Sequence, residues 1–146
     1  MIYTIGYDHM RGDSGALGSV MTRLKIDALI DVRSIPYSKI PAFRKEALEH
    51  TFGNRYEWWG DCLGGRGVGP TVAGLNALVK RQPDERLLLM CKEQAPGDCH
   101  RHFTIAVPLL RSRGIDCTHI YENQLILASE LHASIGAQRD YQYTEF

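Results

Sequence analysis

The sequence lacks the features that would place it in several special classes of protein. Its 146 residues contain no apolar run close to the roughly 18–20 residues that a membrane-spanning helix requires, and no charged and apolar leader opens the chain. Neither sign of charge is in excess, because 17 Lys and Arg residues balance 17 Asp and Glu residues. The strongly basic surface typical of nucleic-acid binders is therefore missing from the chain as a whole. These absences predict a cytoplasmic protein with no membrane partner.

The composition is that of an ordinary globular domain. Apolar residues make up 44% and charged residues 23% of the chain, which argues against disorder, collagen-like repeats and coiled coil. We expect a single domain over residues 1–146, with a tail from about residue 122 whose structure the sequence leaves open. Four cysteines without an export leader are expected as free thiols rather than disulfides.

Short apolar segments alternate with amphipathic ones along the chain. Runs of β-branched and aliphatic residues predict strands at 2–7, 28–32, 56–59, 86–90 and 117–121. Apolar residues at helical spacing predict helices at about 17–24, 44–52, 71–82 and 101–113, and the segment 125–135 suits a helix or part of a hairpin. This order predicts an α/β fold, a compact domain with a mainly parallel central sheet flanked by helices in a Rossmann-like or rhodanese-like layout.

The strand predicted at 86–90 leads into a cluster of reactive side chains. Cys91 and Glu93 follow its carboxyl end, and Cys99, His100 and Arg101 stand where the next helix begins. Reactive groups of parallel sheets lie beyond the carboxyl ends of the strands, and a helix N-terminus favours anions and thiolates. The two cysteines, the glutamate and the histidine are therefore candidate catalytic residues, and the arginine is a candidate substrate-binding residue. Taken alone, Cys91 is better explained as a small apolar residue that closes a core strand.

A second predicted strand, at 28–32, ends in Asp31 and Arg33. Asp31 is a candidate catalytic residue that orients an imidazole or accepts a proton, and Arg33 is a candidate for binding a carboxylate or phosphate. The alternative is an internal ion pair between the two that fixes the loop. The catalytic interpretation gains weight if a neighbouring parallel strand brings this segment close to Cys91.

Two further patterns have a structural and a functional interpretation. The glycine-rich segment 60–70 is predicted as a loop, and its part 64–69 as a flexible connector or a lid, because no convincing strand precedes it as a phosphate cradle requires. Zinc ligand types occur together at Cys91, Cys99, His100 and His102. No CxxC pair is present, and adjacent Cys and His residues rarely both reach one tetrahedral ion. We therefore expect no metal or other cofactor, with zinc as the alternative.

Several motifs resemble those of one protein family. They are Tyr3-Thr4-Ile5-Gly6-Tyr7, the segment 29–38 containing DVRSIPYS, Phe43-Arg44-Lys45-Glu46-Ala47-Leu48, Leu63-Gly64-Gly65, and Cys91-Lys92-Glu93 followed by Cys99-His100-Arg101. The chain resembles, up to about Tyr121, the bacterial and phage family catalogued as domain of unknown function 488. Lys92 stands where that family usually has a small residue. We count the motif residues Tyr7, Tyr37 and Ser38 among the candidate substrate-binding residues.

The family resemblance implies no established reaction, but occurrence in phages favours a nucleotide or nucleic-acid substrate. The layout is also similar to rhodanese-like domains, although the loop after Cys91 is longer and lacks their compact anion cradle. The sequence thus predicts an enzyme acting on an anionic substrate related to phosphate, nucleotides or nucleic acid, as a hydrolase or transferase using a thiolate or a carboxylate. The alternatives are a non-catalytic binding module for nucleotides or nucleic acid and a zinc-binding structural or regulatory protein. The oligomeric state stays open.

Overall fold

Six strands form one sheet in the part of the chain that the structure describes. The computed structural model describes residues 1–67 and 69–144, with residues 137–144 described by their backbone alone. The strands are β1 (Ile2–Gly6), β2 (Ala28–Asp31), β3 (Tyr56–Trp58), β4 (Leu87–Cys91), β5 (Thr118–Tyr121) and β6 (Gln124–Leu127). Their order across the sheet is β3-β2-β4-β1-β5-β6. All neighbours are parallel except β5 and β6, which confirms the expected α/β fold with a mainly parallel sheet.

Helices connect the parallel strands and cover both faces of the sheet. They are α1 (Ser14–Arg23), α2 (Lys45–Phe52), α3 (Gly60–Leu63), α4 (Val72–Arg81), α5 (Val107–Arg113) and α6 (Ala128–Thr144). The side chain of Asp13 accepts a hydrogen bond from Gly15 N at 2.7 Å at the start of α1, and Thr71 accepts one from Gly74 N at 3.0 Å at the start of α4. These N-caps satisfy backbone donors that a helix leaves unpaired.

Alternate residues of the central strands supply two separate cores. Ile2, Ile30 and Leu89 belong to a core shared with α4 and α5. On the opposite face, Ile5, Leu29, Leu88 and Met90 belong to a core shared with α1 and α2. The strands β1, β2 and β4 are buried along their whole length, since helices cover them on both sides.

Two local expectations differ from the structure, and one that was left open is resolved. The helix predicted at 101–113 begins as a π-helix over Arg101–Ala106 and becomes α-helical only at α5. The segment 60–70 is not a loop throughout, because α3 begins it; Val68 within it lies outside the described residues. The segment 125–135 is divided between β6, which forms a hairpin with β5, and α6. Within the described residues no helix has the length and apolar character needed to cross a membrane.

Candidate functional site: a cleft at the strand ends

A cleft lies beyond the carboxyl ends of the three central strands. β4 runs between β1 and β2, with Gly6 of β1 opposite Cys91 and Asp31 of β2 opposite Met90. The three strand ends therefore open at the same place, which is where ligands bind in sheets of this type. The cleft has a volume of about 450 Å³. Its lining consists of Tyr7, Arg33, Ser34, Ile35, Tyr37, Gly65, Arg66, Cys91, Lys92, Glu93, Asp98, Cys99 and His100. We refer to it as the strand-end cleft.

Two glycines allow the walls of the cleft to approach one another. A Cβ atom on Gly6 would collide with the carbonyl group of Glu93, so the loop after β4 lies directly against the end of β1. A Cβ on Gly65 would lie 2.7 Å from Cγ of His100. Neither Gly6 nor Gly65 has room for a side chain, because each lies against a candidate catalytic residue, Glu93 or His100.

Cys91, Cys99 and His100 converge on one point of the cleft wall. The sulfur atoms of the two cysteines are in bonding contact, as in a disulfide, so the expectation of four free thiols is wrong for this pair. Cys62 and Cys117 are free. One ligand-type atom from each of the three residues lies within 4.8 Å of the others. The objection that an adjacent cysteine and histidine seldom reach the same ion therefore does not apply here, because the Cys99 sulfur and His100 Nδ1 are 3.7 Å apart.

The tautomer of His100 follows from its second contact. Its Nε2 lies 3.1 Å from the carbonyl oxygen of Leu63, which can only accept a hydrogen bond. In the neutral ring, Nε2 thus carries the proton and Nδ1 has a free lone pair on the side of Cys99. Burial lowers the pKa of His100. A neutral imidazole at this position is a base or a metal ligand, not an anion-binding cation.

Arg101 lies behind the cleft wall, fully buried, and not at the helix surface. Its guanidinium donates to the carbonyl oxygens of Glu93 at 2.6 Å and Gln94 at 3.0 Å, to the Thr4 hydroxyl at 3.1 Å, and to the Cys91 sulfur at 3.2 Å. Among the described side chains no carboxylate forms a salt bridge with it. Burial lowers its pKa to about 10, a value at which the side chain is still cationic at neutral pH. Arg101 therefore orients the loop after β4 and places a positive charge beside Cys91.

A buried chain of polar groups continues from Arg101 into the interior. Thr4 Oγ1 lies 2.5 Å from His119 Nδ1, and His119 Nε2 lies 2.9 Å from His102 Nδ1. Arg101 donates to the Thr4 hydroxyl, and the directions of the next two hydrogen bonds depend on the tautomers of His119 and His102. His102 Nε2 is buried and has no partner among the described residues. Sequence reasoning missed this network, since it joins residues of β1, β5 and the π-helix that no local pattern relates.

Asp31 and Arg33 form the internal ion pair that the sequence left as an alternative. Two guanidinium nitrogens of Arg33 donate to the two Asp31 oxygens, at 2.9 and 2.8 Å, and Tyr56 donates to Asp31 at 2.5 Å. Burial and the neighbouring Asp31 raise the pKa of Tyr56. Burial alone would lower the pKa of Arg33, but its hydrogen bonds to Asp31 outweigh this effect and raise the pKa. Asp31 is fully buried and does not line the cleft, but Arg33 does, 3.3 Å from the Tyr7 hydroxyl.

The rim of the cleft carries residues that the sequence did not single out as binding groups. Arg66 comes from the glycine-rich segment, Lys92 and Asp98 from the loop after β4, and Ile35 from the loop after β2. Tyr37, a predicted substrate-binding residue, also lies at the rim and is 59% exposed. Arg66 could have been predicted as a binding residue from the sequence, because it stands among glycines, which let the backbone pack closely around a cationic side chain.

Two predicted binding residues are placed differently from one another. Tyr7 lines the cleft from its buried side, with its ring stacked on Phe43 at 4.4 Å between centroids. Ser38 is not part of the cleft lining, and its hydroxyl accepts a hydrogen bond from Ile40 N at 3.1 Å. Of the predicted site residues, the structure thus brings Tyr7, Arg33, Tyr37, Cys91, Glu93, Cys99 and His100 to the cleft lining. It places Asp31 and Arg101 behind that lining and Ser38 in the adjoining loop.

One of three comparisons with known proteins found a match, between residues 17 and 74. No curated protein and no solved structure matches the chain. A family model described as "Domain of unknown function DUF488" matches residues 17–74. This segment contains β2, α2, β3 and the glycine-rich segment, whereas the loop after β4 lies outside it. The family match expected from the sequence motifs is thereby confirmed over residues 17–74, which are similar to the uncharacterised DUF488 family.

Proposed function

We propose that the strand-end cleft binds a nucleotide or a similar phosphate compound and that the protein acts on it as a hydrolase. The observation that carries this proposal is the composition of the cleft rim. Exposed cationic and exposed apolar side chains lie around one opening, with the carboxylate of Glu93 beside the floor. Such a combination suits a ligand that has both an anionic and a flat apolar part.

The cationic part of the rim would hold the phosphate. Arg66 and Lys92 are exposed, and neither forms a salt bridge with a carboxylate in the described part of the chain. Arg33 is neutralised by Asp31, but its Nη1 faces the Tyr7 hydroxyl at the cleft wall. Guanidinium and ammonium groups are the usual partners of phosphate oxygens. The zero net charge of the chain is consistent with a small anionic ligand, because strong binding to a nucleic-acid backbone needs a larger basic surface.

The apolar part of the rim would hold the base. Ile35 and Tyr37 are each 59% exposed, which is unusual for large apolar side chains that no partner covers. The Arg44 guanidinium lies 5.0 Å from the centre of the Tyr37 ring and occupies one of its faces. The other parts of the ring can stack on a nucleobase, an interaction worth about 1–3 kcal/mol. This feature favours a nucleotide over free phosphate.

Glu93 is the acid–base group that the geometry favours. Asp31 is saturated by Arg33 and Tyr56, so it cannot exchange a proton with a ligand. Glu93 is exposed and lines the cleft, with Oε2 3.4 Å from the Cys91 sulfur. A carboxylate in this position can take a proton from an attacking water.

A second candidate is a transferase that uses the Cys91 thiolate. It is favoured by the Arg101 nitrogen 3.2 Å from the sulfur, since a buried guanidinium stabilises an adjacent thiolate. Two features count against it: Cys91 is only 2% exposed, and its sulfur contacts that of Cys99.

Calorimetric titration with AMP, inorganic phosphate and adenosine tests the binding proposal. AMP should bind more tightly than either fragment, and the double variant Arg66→Gln, Lys92→Gln should weaken AMP binding by about tenfold or more, or roughly 1.4 kcal/mol. The control is the double variant Arg11→Gln, Arg23→Gln, whose exposed side chains lie on another groove. Equal weakening in both double variants, or no AMP binding at millimolar concentration, would overturn the proposal.

Phosphate release from AMP, ADP and ATP, and the formation of mononucleotides from a dinucleotide, test the chemistry. Glu93→Gln should abolish turnover while the protein still binds AMP, whereas a covalent adduct on the Cys91 sulfur should form only if the thiolate transferase is correct. Binding without turnover of any of these compounds by the unaltered protein would show a binding module instead of an enzyme.

A further inference from the structure

We propose that Cys91, Cys99 and His100 bind one divalent transition-metal ion, of the zinc class, in the wall of the strand-end cleft. The ion would have three protein ligands and a fourth position open to the cleft. The binding of the ion is independent of the proposed function, and only its use on a substrate rests on that function.

The spacing of Cys99 and His100 fits a tetrahedral ion, whereas the sulfurs of Cys91 and Cys99, which are in bonding contact, must separate to about 3.8 Å to share it. All three atoms lie within 4.8 Å of one another, and the Cys99 sulfur and His100 Nδ1 are 3.7 Å apart. Metal–sulfur and metal–nitrogen distances of about 2.3 and 2.1 Å place two such ligands about 3.6 Å apart around a tetrahedral centre. Cysteine and histidine are also the ligand types that zinc prefers.

His100 is prepared for this role by its second hydrogen bond. Nε2 donates to the Leu63 carbonyl oxygen at 3.1 Å, which leaves the lone pair of Nδ1 on the side of Cys99. Metal-binding histidines usually donate their other ring proton to a carbonyl or carboxylate, which fixes the tautomer and the ring orientation. Gly65 supports the same orientation, because its missing side chain makes room for the ring.

The backbone spacing of the cysteines suits a shared ion better than a direct bond. Their Cα atoms are 7.9 Å apart. Disulfides usually join Cα atoms about 4.4–6.8 Å apart, and a pair beyond 7 Å requires backbone movement. An ion between the sulfurs removes this requirement, because two cysteine ligands of one ion have sulfurs about 3.8 Å apart.

Arg101 supplies the electrostatic complement of the site. It is buried without a carboxylate partner in the described part of the chain, and its Nη1 lies 3.2 Å from the Cys91 sulfur. When Cys91 and Cys99 bind the ion as thiolates, Arg101 donates a charge-assisted hydrogen bond to one of them. The site therefore provides the buried guanidinium with an anionic partner.

Metal binding requires the reduced pair. A dithiol or phosphine reductant supplies two electrons, and two protons complete the two thiols. Binding of the ion then releases both thiol protons to solvent, while His100 binds as the neutral ring. A water in the fourth position would be acidified by the ion, and Glu93, 3.4 Å from Cys91, lies where it can accept the proton.

Cobalt titration of the full chain tests the site. The protein is reduced with a phosphine, desalted without oxygen, and shown to have the four thiols of the sequence before Co²⁺ is added. We expect one equivalent to bind, with the visible bands of a tetrahedral ion and thiolate-to-cobalt absorption in the near ultraviolet. Zn²⁺ should displace it stoichiometrically.

Single variants identify the ligands. Cys91→Ser, Cys99→Ser and His100→Gln should each weaken Co²⁺ binding by at least about tenfold, and the two cysteine variants should each lose part of the thiolate-to-cobalt absorption. Cys62→Ser is the matched control, since Cys62 is a free, half-buried cysteine outside the cluster, and it should bind as the unaltered protein does. Circular dichroism checks that each variant is folded.

Two results would overturn the metal site. The first is that cobalt gives no tetrahedral spectrum although all four thiols are reduced. The second is that Cys91→Ser and Cys99→Ser give the same cobalt spectrum as the unaltered protein. AMP titration of the metal-free protein separates this inference from the proposed function. AMP binding without cobalt binding refutes the metal site alone, and cobalt binding without AMP binding refutes the nucleotide proposal alone.

Discussion

Asp31 and Arg33 act as one unit at the end of β2. The carboxylate receives two guanidinium bonds, a bond from Arg33 N at 3.1 Å and a bond from the Tyr56 hydroxyl. Both side chains are nearly or fully buried, so each charge depends on the other for compensation. The pair holds the chain as it leaves the sheet and directs Arg33 to the cleft wall.

Removing the charge of Asp31 should therefore destabilise the protein strongly. We expect Asp31→Asn to lower the free energy of unfolding by roughly 3–5 kcal/mol, because it leaves the Arg33 cation buried without compensation. Urea denaturation measures this change. The control is Glu49→Gln, which removes an exposed ion pair with Lys45 and should cost less than about 1 kcal/mol. Equal costs for the two substitutions would show that Asp31 is not an essential counter-ion.

The cleft residues that directly follow a predicted strand could be predicted from the sequence. Cys91, Glu93 and Arg33 follow buried apolar runs, and the rule that parallel strands open at one edge brings them together. The burial of Arg101 was not predictable, because a first-turn residue of a regular helix is usually exposed. Its position depends on the π-helix, which apolar spacing does not distinguish from an α-helix.

At the scale of elements, the end of β1 and the loop after β4 are joined directly by backbone hydrogen bonds. Tyr7 N donates to the Cys91 carbonyl oxygen at 3.1 Å, and Asp8 N donates to that of Lys92 at 3.0 Å. The loop thus continues the pairing of the two strands beyond their ends. This pairing is possible only because Gly6 has no side chain.

A methyl group at this contact should disturb both the loop and the sheet. We expect Gly6→Ala to lower the free energy of unfolding by roughly 2–4 kcal/mol, because the new Cβ meets backbone atoms of Glu93 and Gln94 that cannot move independently. It should also weaken AMP binding, since the loop carries Lys92 and Glu93.

Gly97→Ala provides the comparison for Gly6→Ala. It lies in the same loop, and its Cβ would meet only Ile135 at 4.0 Å. It should change the free energy of unfolding by less than about 0.5 kcal/mol. If the two alanine variants unfold at the same urea concentration, the close contact at Gly6 is not a constraint.

The elements themselves were largely predictable, and their local exceptions have physical reasons. Helices α1 and α4 follow from apolar spacing and from the capping residues Asp13 and Thr71. The short helix α3 was not predicted, because its packing at Gly60 and Gly64 against the loop after β2 outweighs the low helical propensity of glycine. The contact between Cys91 and Cys99 was also missed, since it depends on the path of an irregular loop.

At the scale of the whole molecule, the buried histidines couple folding to pH. His102 and His119 are fully buried, and burial lowers their pKa values to about 4 and about 3. In the unfolded chain both would titrate near the usual histidine value of about 6.5. The unfolded state therefore binds more protons than the folded state between these values, and stability rises with pH in that range.

We expect the free energy of unfolding to be highest above about pH 7 and to fall by roughly 1–2 kcal/mol for each buried histidine by about pH 5. Urea denaturation at both pH values measures the difference. His119→Gln should reduce the difference, whereas His50→Gln should not, because His50 is exposed. A pH dependence that is the same in both variants would contradict this assignment.

The burial of β4 between two parallel neighbours has a consequence for how this architecture can diversify. The floor of the cleft is part of the central sheet and has little freedom to change, because each of its residues is packed on both sides. The rim, in contrast, comes from three separate connections, which follow β2, α3 and β4. Substitution of Tyr37, Arg66 or Lys92, each in a different connection, can therefore change which ligand binds while the sheet keeps its structure.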